Sequence, residues 1–387
     1  MVPVTFCSLI VERRTSRDTL FKGDRDVKRN PTHLGIGRGF AALAVSALTL
    51  TGCTSTGADP VAGSSATGGE QVVKTQTAPA GSGCTLQTYG ATKLDLKGAK
   101  VGFSQSEPDA AAFRAAETTS IKAEAKKIGV SQLVVTNANN ELPKQISDIQ
   151  DMLAQGVQFL IVAPVNSDGL DPALKAAKAK GVPILTIDRK ITNAPCSDYI
   201  AFLGSDFVDQ GKRAADAMAK ATGGKAKVAI LLGASGNNVT DSRNKGFVDQ
   251  VKAKHPGLQI VAQQTGNFAR DEGQSVTEQL LQSNPEITAI YAHNDEMGLG
   301  AMTAISAAGK QPGKDIKIVS IDGTKNAVQA IVDGKYNAVI ESNPRFGPLA
   351  FATAKQFYDG TPVPEDVIIQ DREYDSTNAQ EGLSSAF

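Results

Sequence analysis

Asp, Asn, Arg and other polar side chains recur directly after short apolar, β-rich runs in this chain. The junctions read Gly102-Phe103-Ser104-Gln105, Ala163-Pro164-Val165-Asn166, Ile187-Asp188-Arg189, Leu232-Gly233-Ala234-Ser235, Ala292-His293-Asn294-Asp295 and Ile321-Asp322-Gly323. Carboxylate, amide and guanidinium groups are planar and make two directed hydrogen bonds each, stronger where one partner is charged. Gathered in one place, such groups hold a small polar molecule in a fixed orientation. One such junction is ordinary helix capping, which Asp, Asn and Ser favour, and capping suffices for Asp295 and Ser235. Six together point to a binding surface.

The elements that must carry these residues alternate regularly. β-rich runs lie at Lys100–Phe103, Leu133–Thr136, Phe159–Ala163, Pro183–Ile187, Tyr199–Leu203, Lys227–Leu232, Gln259–Ala262, Ala289–Tyr291, Ile316–Ile321, Ala338–Ile340 and Val367–Ile369. Stretches with helical spacing fall between them, among them Phe113–Lys127, Pro143–Gln155, Leu170–Lys180, Gln210–Thr222, Arg243–Lys254 and Asp271–Ser283. Strand, helix, strand repeated in this way predicts an α/β fold with parallel sheets covered on both faces. Such sheets place ligands at the carboxyl ends of their strands, where the polar junctions are. The folded part, about Lys93 to Ala379, is long enough for two lobes of ordinary domain size.

Catalytic readings find little support. Past the leader only His255 and His293 remain, and His255 precedes Pro256 in a polar turn. His293 beside Asn294 has the chemistry of a general base, but no nucleophile elbow, phosphate loop or metal-ligand cluster accompanies it. Gly35, Gly37 and Gly39 lie in the leader, outside any strand–turn–helix context. The expectation is a protein that is not an enzyme and uses no metal or cofactor.

The start of the chain reads as an export signal. Lys28, Arg29 and Arg38 precede an apolar run, Gly39 to Leu50, that is too short to span a bilayer, which needs ~20 residues. Leu50-Thr51-Gly52-Cys53 resembles the bacterial lipobox, so residues 1–52 are expected to be removed and Cys53 to be acylated, anchoring the protein on the outer face of the cytoplasmic membrane. An ordinary signal peptide cut nearby is the alternative. Residues before about Val27 fit no part of a signal peptide, which suggests a true start near Val27. Thr54 to Gly83 is Thr, Ser, Gly, Ala and Pro with almost no large apolar residue, so 53–92 is expected to be a flexible tether.

Charge and cysteine content agree with export. The chain balances 40 Lys+Arg against 40 Asp+Glu, but the leader is basic, so the exported part is mildly acidic and offers nothing to nucleic acid. Setting aside Cys7 and Cys53, two of the 4 cysteines remain, Cys84 and Cys196. In an oxidising compartment a disulfide is the natural reading, with two buried thiols the alternative.

Over Lys100 to Asp371 the chain resembles the type I periplasmic sugar-binding proteins of ABC importers, the ribose- and galactofuranose-binding group. The resemblance is carried by Val101-Gly-Phe-Ser-Gln105, Phe113-Arg-Ala-Ala-Glu117, Ile161-Val-Ala-Pro164, Asp188-Arg189, Asn294-Asp-Glu-Met297 and Ser320-Ile-Asp-Gly-Thr324. The stretch from Phe113 to Glu117 is closer to the galactofuranose branch than to the ribose branch. The resemblance implies two Rossmann-like lobes with a three-strand hinge, crossed near Ser205, Ser342 and Pro364. That assigns 93–204 plus 343–363 to an N-terminal lobe and 205–342 plus 364–387 to a C-terminal lobe.

Residue by residue, the resemblance implies that Asp188 and Arg189 hold sugar hydroxyls from the first lobe, while Arg114, with Glu117 as partner, reaches in from the first helix. Phe113 would stack on the sugar and Gln105 would end the first strand beside it. From the second lobe Arg243, Asn294 and Asp322 would meet the ligand, Phe268 would cover its other face and Glu341 would contribute at the hinge. Sugars need this mixture because their hydroxyls both donate and accept while their C–H faces pack on aromatic rings. The competing readings are a surface ion pair for Asp188 and Arg189, helix support for Arg114 and Glu117, core packing for Phe113 and Phe268, a solvated helix start for Arg243, and local capping for the others. The implied partners are a monosaccharide, with furanose and pyranose forms, a sugar alcohol and a small glycoside all compatible with these residues, and ABC permease membrane subunits, with the protein itself a monomer. A lipid-anchored receptor reporting to a sensor kinase is the alternative. Repressors of the lac type share the fold but carry a DNA-binding segment where this chain has a leader.

Overall fold

The computed structural model describes residues 71–77 and 83–387. The leader, Cys53 and the tether up to residue 70 lie outside the described residues. The chain order is β1 (Val73–Thr77), α1 (Leu86–Tyr89), β2 (Lys100–Gln105), α2 (Ala112–Ile128), β3 (Gln132–Asn137), α3 (Leu142–Ala154), β4 (Phe159–Val162), α4 (Asp171–Ala179), β5 (Ile184–Ile187) and β6 (Phe202–Gly204). It continues with α5 (Phe207–Thr222), β7 (Ala226–Leu232), α6 (Asn238–Lys254), β8 (Leu258–Thr265), α7 (Arg270–Ser283), β9 (Ala289–Ala292), α8 (Asp295–Ala307), β10 (Lys317–Asp322), α9 (Lys325–Val332) and β11 (Ala338–Glu341). α10 (Gly347–Tyr358), β12 (Asp366–Ile369), β13 (Glu373–Asp375) and α11 (Ala379–Gly382) follow.

The strands form two sheets, ordered β1-β12-β6-β5-β4-β2-β3 and β13-β11-β10-β9-β7-β8. Pairing is parallel except at β1 on β12 and β13 on β11. The central strands are apolar throughout because both faces are covered: every residue of β4 and β5 is buried. Alternate side chains feed different cores. Phe159 and Ile161 pack on one face of the first sheet, Leu160 and Val162 on the other. In the second sheet Val228 and Ile230 face one core and Ala229 and Leu231 the other.

Three crossovers join the lobes: between β6 and α5, between β11 and α10, and between β12 and β13. The third departs from expectation. β12 pairs with β6 in the first sheet, so the chain crosses after Ile369 rather than near Pro364. Val367 and Ile369 bury their side chains in the first lobe's core, which holds the strand there.

The tether expected over 53–92 also needs correction. β1 adds an antiparallel edge strand to β12, and Leu86, Tyr89, Ala91 and Leu94 pack against the first core. Cys84 is buried, exchanges backbone hydrogen bonds with Val363, and forms a disulfide with Cys196, Cα to Cα 5.1 Å. The folded lobe therefore begins before Lys93. Among the described residues no helix is long and apolar enough to cross a membrane.

Candidate ligand-binding site

The first lobe supplies its part of the site from the start of α2, the end of β5 and the loop after β2. Arg114 Nη1 donates to Asp188 Oδ2 at 2.7 Å and to Glu117 Oε2 at 3.0 Å, and its Nε donates to Glu107 Oε2 at 3.0 Å. Arg189 Nη1 donates to the carbonyls of Pro164 and Val165, and its Nη2 pairs with Glu107. Both guanidinium groups are thus oriented by several partners and nearly fully buried. Burial alone would raise the Glu107 carboxyl, but the charges of Arg189 and Arg114 outweigh it and hold it down at about 2. Asp188 sits at φ 62°, a left-handed conformation that Asp tolerates better than most residues, and this turns its carboxylate back toward α2.

The second lobe brings Arg243 from α6, Asn294 from the end of β9 and Asp322 from the end of β10. Helices α5 and α6 approach closely: a Cβ on Gly211 would stand 2.2 Å from the Arg243 carbonyl oxygen. Arg243 Nε donates to Gln210 Oε1 at 2.9 Å, its Nη1 donates to the His293 carbonyl at 2.6 Å, and its Nη2 lies 3.6 Å from Asp322 Oδ1. Burial pushes the Asp322 carboxyl well above the usual range, with Arg243 pulling the other way. Asp295 is fully buried and accepts from Ser320 Oγ, Gly323 N, Thr324 N and Thr324 Oγ1, fixing the loop that follows Asp322. It pins a loop and is no cap: Asn294 caps α8 through Met297 N, and Asn237 rather than Ser235 caps α6.

Phe268 reaches the site at φ 63°, with its carbonyl accepting from Asn294 Nδ2. Its ring lies over Gly233, where a Cβ would stand 2.0 Å from the ring, so only glycine leaves it room. The Arg189 guanidinium is 5.9 Å from the centre of the same ring, across the two lobes.

The lobes are closed on each other. Ser167 N donates to the Gly236 carbonyl, Asn238 N donates to Ser167 Oγ, and Lys190 N donates to Asn238 Oδ1. Between them lies a cavity of about 40 Å³, lined by Glu107, Ala111, Phe113, Arg114, Asp188, Arg189, Val239, Arg243, Phe268, Asn294, Glu296 and Asp322. By that measure one water needs roughly 10–15 Å³, so the space is on the scale of one small polar molecule.

Eight expected residues meet at this cavity: Phe113, Arg114, Asp188, Arg189, Arg243, Phe268, Asn294 and Asp322. Three do not line it. Gln105 and Glu117 are wholly buried behind Arg114, where Gln105 Nε2 donates to Glu117 Oε2 at 2.9 Å. Glu341 turns to the hinge and accepts from Tyr374 Oη and Arg372 N. Glu107 was not foreseen. It lies two residues beyond Gln105 at the first strand end, so extending that polar cluster past Ser106 would have included it.

The family model described as a periplasmic binding protein domain matches residues 101–362. The galactofuranose-binding protein YtfQ of Escherichia coli is 37% identical over 274 residues, which cover 70% of this chain and 85% of that protein. The ribose import binding protein RbsB of Bacillus subtilis is 38% identical over 248 residues, 64% of this chain and 78% of that one. A crystal structure from Mycobacterium smegmatis in complex with β-D-fucofuranose superposes with a TM-score of 0.70 at 40% identity, covering 74% of this chain and 94% of that one. These relatives are binding proteins, not enzymes. With its two α/β lobes, three crossovers and a polar cavity between them, the chain belongs to the periplasmic binding protein domain family, among its type I members.

Proposed function

We propose that this protein is the extracytoplasmic binding lipoprotein of an ABC importer and captures a monosaccharide, in furanose form, between its lobes. The observation that carries the reading is the composition of the cavity wall. Arg114, Asp188 and Arg189 from one lobe face Arg243, Asn294 and Asp322 from the other, with Phe113 and Phe268 as apolar faces. That set offers paired donors and acceptors for hydroxyls and rings for C–H faces, from both lobes at once. A ligand touching both lobes favours the closed form by the contacts that only this form makes. The furanose reading draws on the names of the relatives and on the stretch from Phe113 to Glu117.

Delivery follows from closure: the closed lobes present one composite surface to the permease, and the open form does not. Acylated Cys53 would keep the protein beside that permease. Isothermal titration with furanose and pyranose monosaccharides tests capture, and a one-site isotherm with a furanose sugar is expected. Mass spectrometry of the membrane fraction tests the anchor: a diacylglyceryl group on Cys53 supports it, and an unmodified Cys53 or a mature start elsewhere refutes it.

A further inference from the structure

Phe113 does not stand alone at the cavity mouth. The Phe387 ring meets it edge-to-face, centroids 6.0 Å apart with 79° between planes, although the two residues belong to different lobes. The segment ending in Phe387 is held firmly on the second lobe. Phe387 N donates to the Gly323 carbonyl, Lys325 N donates to the Phe387 carbonyl at 2.6 Å, and Ala386 lies in that lobe's core. Arg345, beside the second crossover, donates to the carbonyls of Ser385 and Ala386 and sets its guanidinium 5.7 Å from the Phe387 ring centre. On the other side, the Arg114 guanidinium lies 4.9 Å from the Phe113 ring centre. The result is a row, Arg114–Phe113–Phe387–Arg345, running from the ligand cavity across the cleft to the hinge.

We propose that Phe387 is a positioning residue for the ligand site: it braces Phe113 from outside the cavity and latches the closed lobes. The inference rests on the cavity being the sugar site. Two physical features support it. The brace is anchored at Gly323, the residue after Asp322, so the loop that carries one ligand group also carries the contact that holds the opposing ring. The contact also adds to the other links between the lobes, among them the hydrogen bonds at Ser167, Lys190 and Asn238 and the Arg189–Phe268 contact, so separating the lobes must break it as well. Edge-to-face pairs are favourable, and this one joins residues of different lobes, so opening the cleft gives it up.

The test is stopped-flow dissociation of the bound furanose sugar from the whole exported protein, with spin labels at exposed Lys127 and Lys245 to read the lobe separation. Phe387→Ala is expected to release sugar about three- to tenfold faster, to lower the closed fraction and to leave the melting temperature of the ligand-free protein within a degree or two. Phe387→Tyr, which keeps the ring, should restore wild-type release. Unchanged release and separation in Phe387→Ala would overturn the proposal, as would equal defects in the Ala and Tyr variants. If the wild type binds no sugar, the cavity reading fails by itself. The label separation without ligand then still decides the latch: fewer closed molecules in Phe387→Ala support it, and the same distribution refutes it.

Discussion

Arg114 Nη1 donates to Asp188 Oδ2 at 2.7 Å, tying the first turn of α2 to the end of β5, 74 residues further along the chain. Both side chains are almost fully buried at the cavity wall, and Asp188 is the nearest of three carboxylates, with Glu117 and Glu107, that offset the water Arg114 has lost. Asp188→Ala is expected to cost about 2 kcal/mol of stability, since Arg114 loses its shortest charge-assisted hydrogen bond and keeps those to Glu117 and Glu107. Sugar affinity should fall at least tenfold as well. Chemical denaturation and calorimetry check both, and a variant as stable as wild type would contradict the pairing.

Glu107 carries the acid sensitivity of the site. Its carboxyl titrates at about 2 in the folded chain against an ordinary 4.5, so its contribution is complete above the ordinary value and is lost as pH falls from there toward 2. At neutral pH the shift corresponds to about 3 kcal/mol. Glu107→Gln should lower stability at pH 7 and flatten the loss between pH 4.5 and 2, followed as urea midpoints across pH. A wild-type acid limb in the variant would refute the assignment.

Asp371, at the third crossover, behaves with the opposite sign. Burial raises its carboxyl to about 7, even though Gln210 and Ser205 donate to it, and nearby Glu341 adds repulsion while Arg213 counters it. The folded form then holds a proton that the unfolded form has released, so stability declines as pH rises from about 4 toward 7. Asp371→Asn should gain about 4 kcal/mol relative to wild type at pH 8 and nothing near pH 4. Melting curves at the two pH values decide it; a gain independent of pH would place the effect elsewhere.

The disulfide between Cys84 and Cys196 spans 112 residues of sequence. Closing a loop of that length removes roughly 4–5 kcal/mol of unfolded-chain entropy in the simplest treatment. Thermal denaturation with and without a thiol reductant should show a clear drop on reduction, absent in a Cys84→Ser, Cys196→Ser double variant.

Much of this architecture is legible in the chain. Fully apolar strands such as Phe159–Val162 and Ile184–Ile187 announce parallel sheets, and the polar residues that follow them sit where such sheets place ligands. Arg114, Asp188, Arg189, Arg243 and Asp322 meet at one cavity because they lie at or just after strand ends, or in the first two turns of helices, on the same side of their sheets. What escaped detection depends on pairing rather than composition. β1, Val-Lys-Thr-Gln-Thr, is mostly polar because an edge strand is held by backbone hydrogen bonds to β12, so its composition reads as tether. The third crossover follows from which lobe buries Val367 and Ile369, a choice that no local pattern encodes. Glu341 ends its strand as Asp322 does, yet Tyr374 Oη and Arg372 N, both from the returning chain, claim its carboxylate.

The most direct test of capture between the lobes is one calorimetric experiment: titration of a panel of furanose and pyranose sugars into the wild type and into Asp322→Ala. Asp322 stands opposite the first-lobe groups and faces Arg243, so its loss should leave that guanidinium short of a partner and weaken binding by at least ~2 kcal/mol, about thirtyfold. The account predicts a one-site isotherm with one or two sugars in the wild type and a large loss in the variant. Equal affinity in both proteins would show that sugar binds elsewhere, and no heat with any sugar would contradict capture of a monosaccharide altogether.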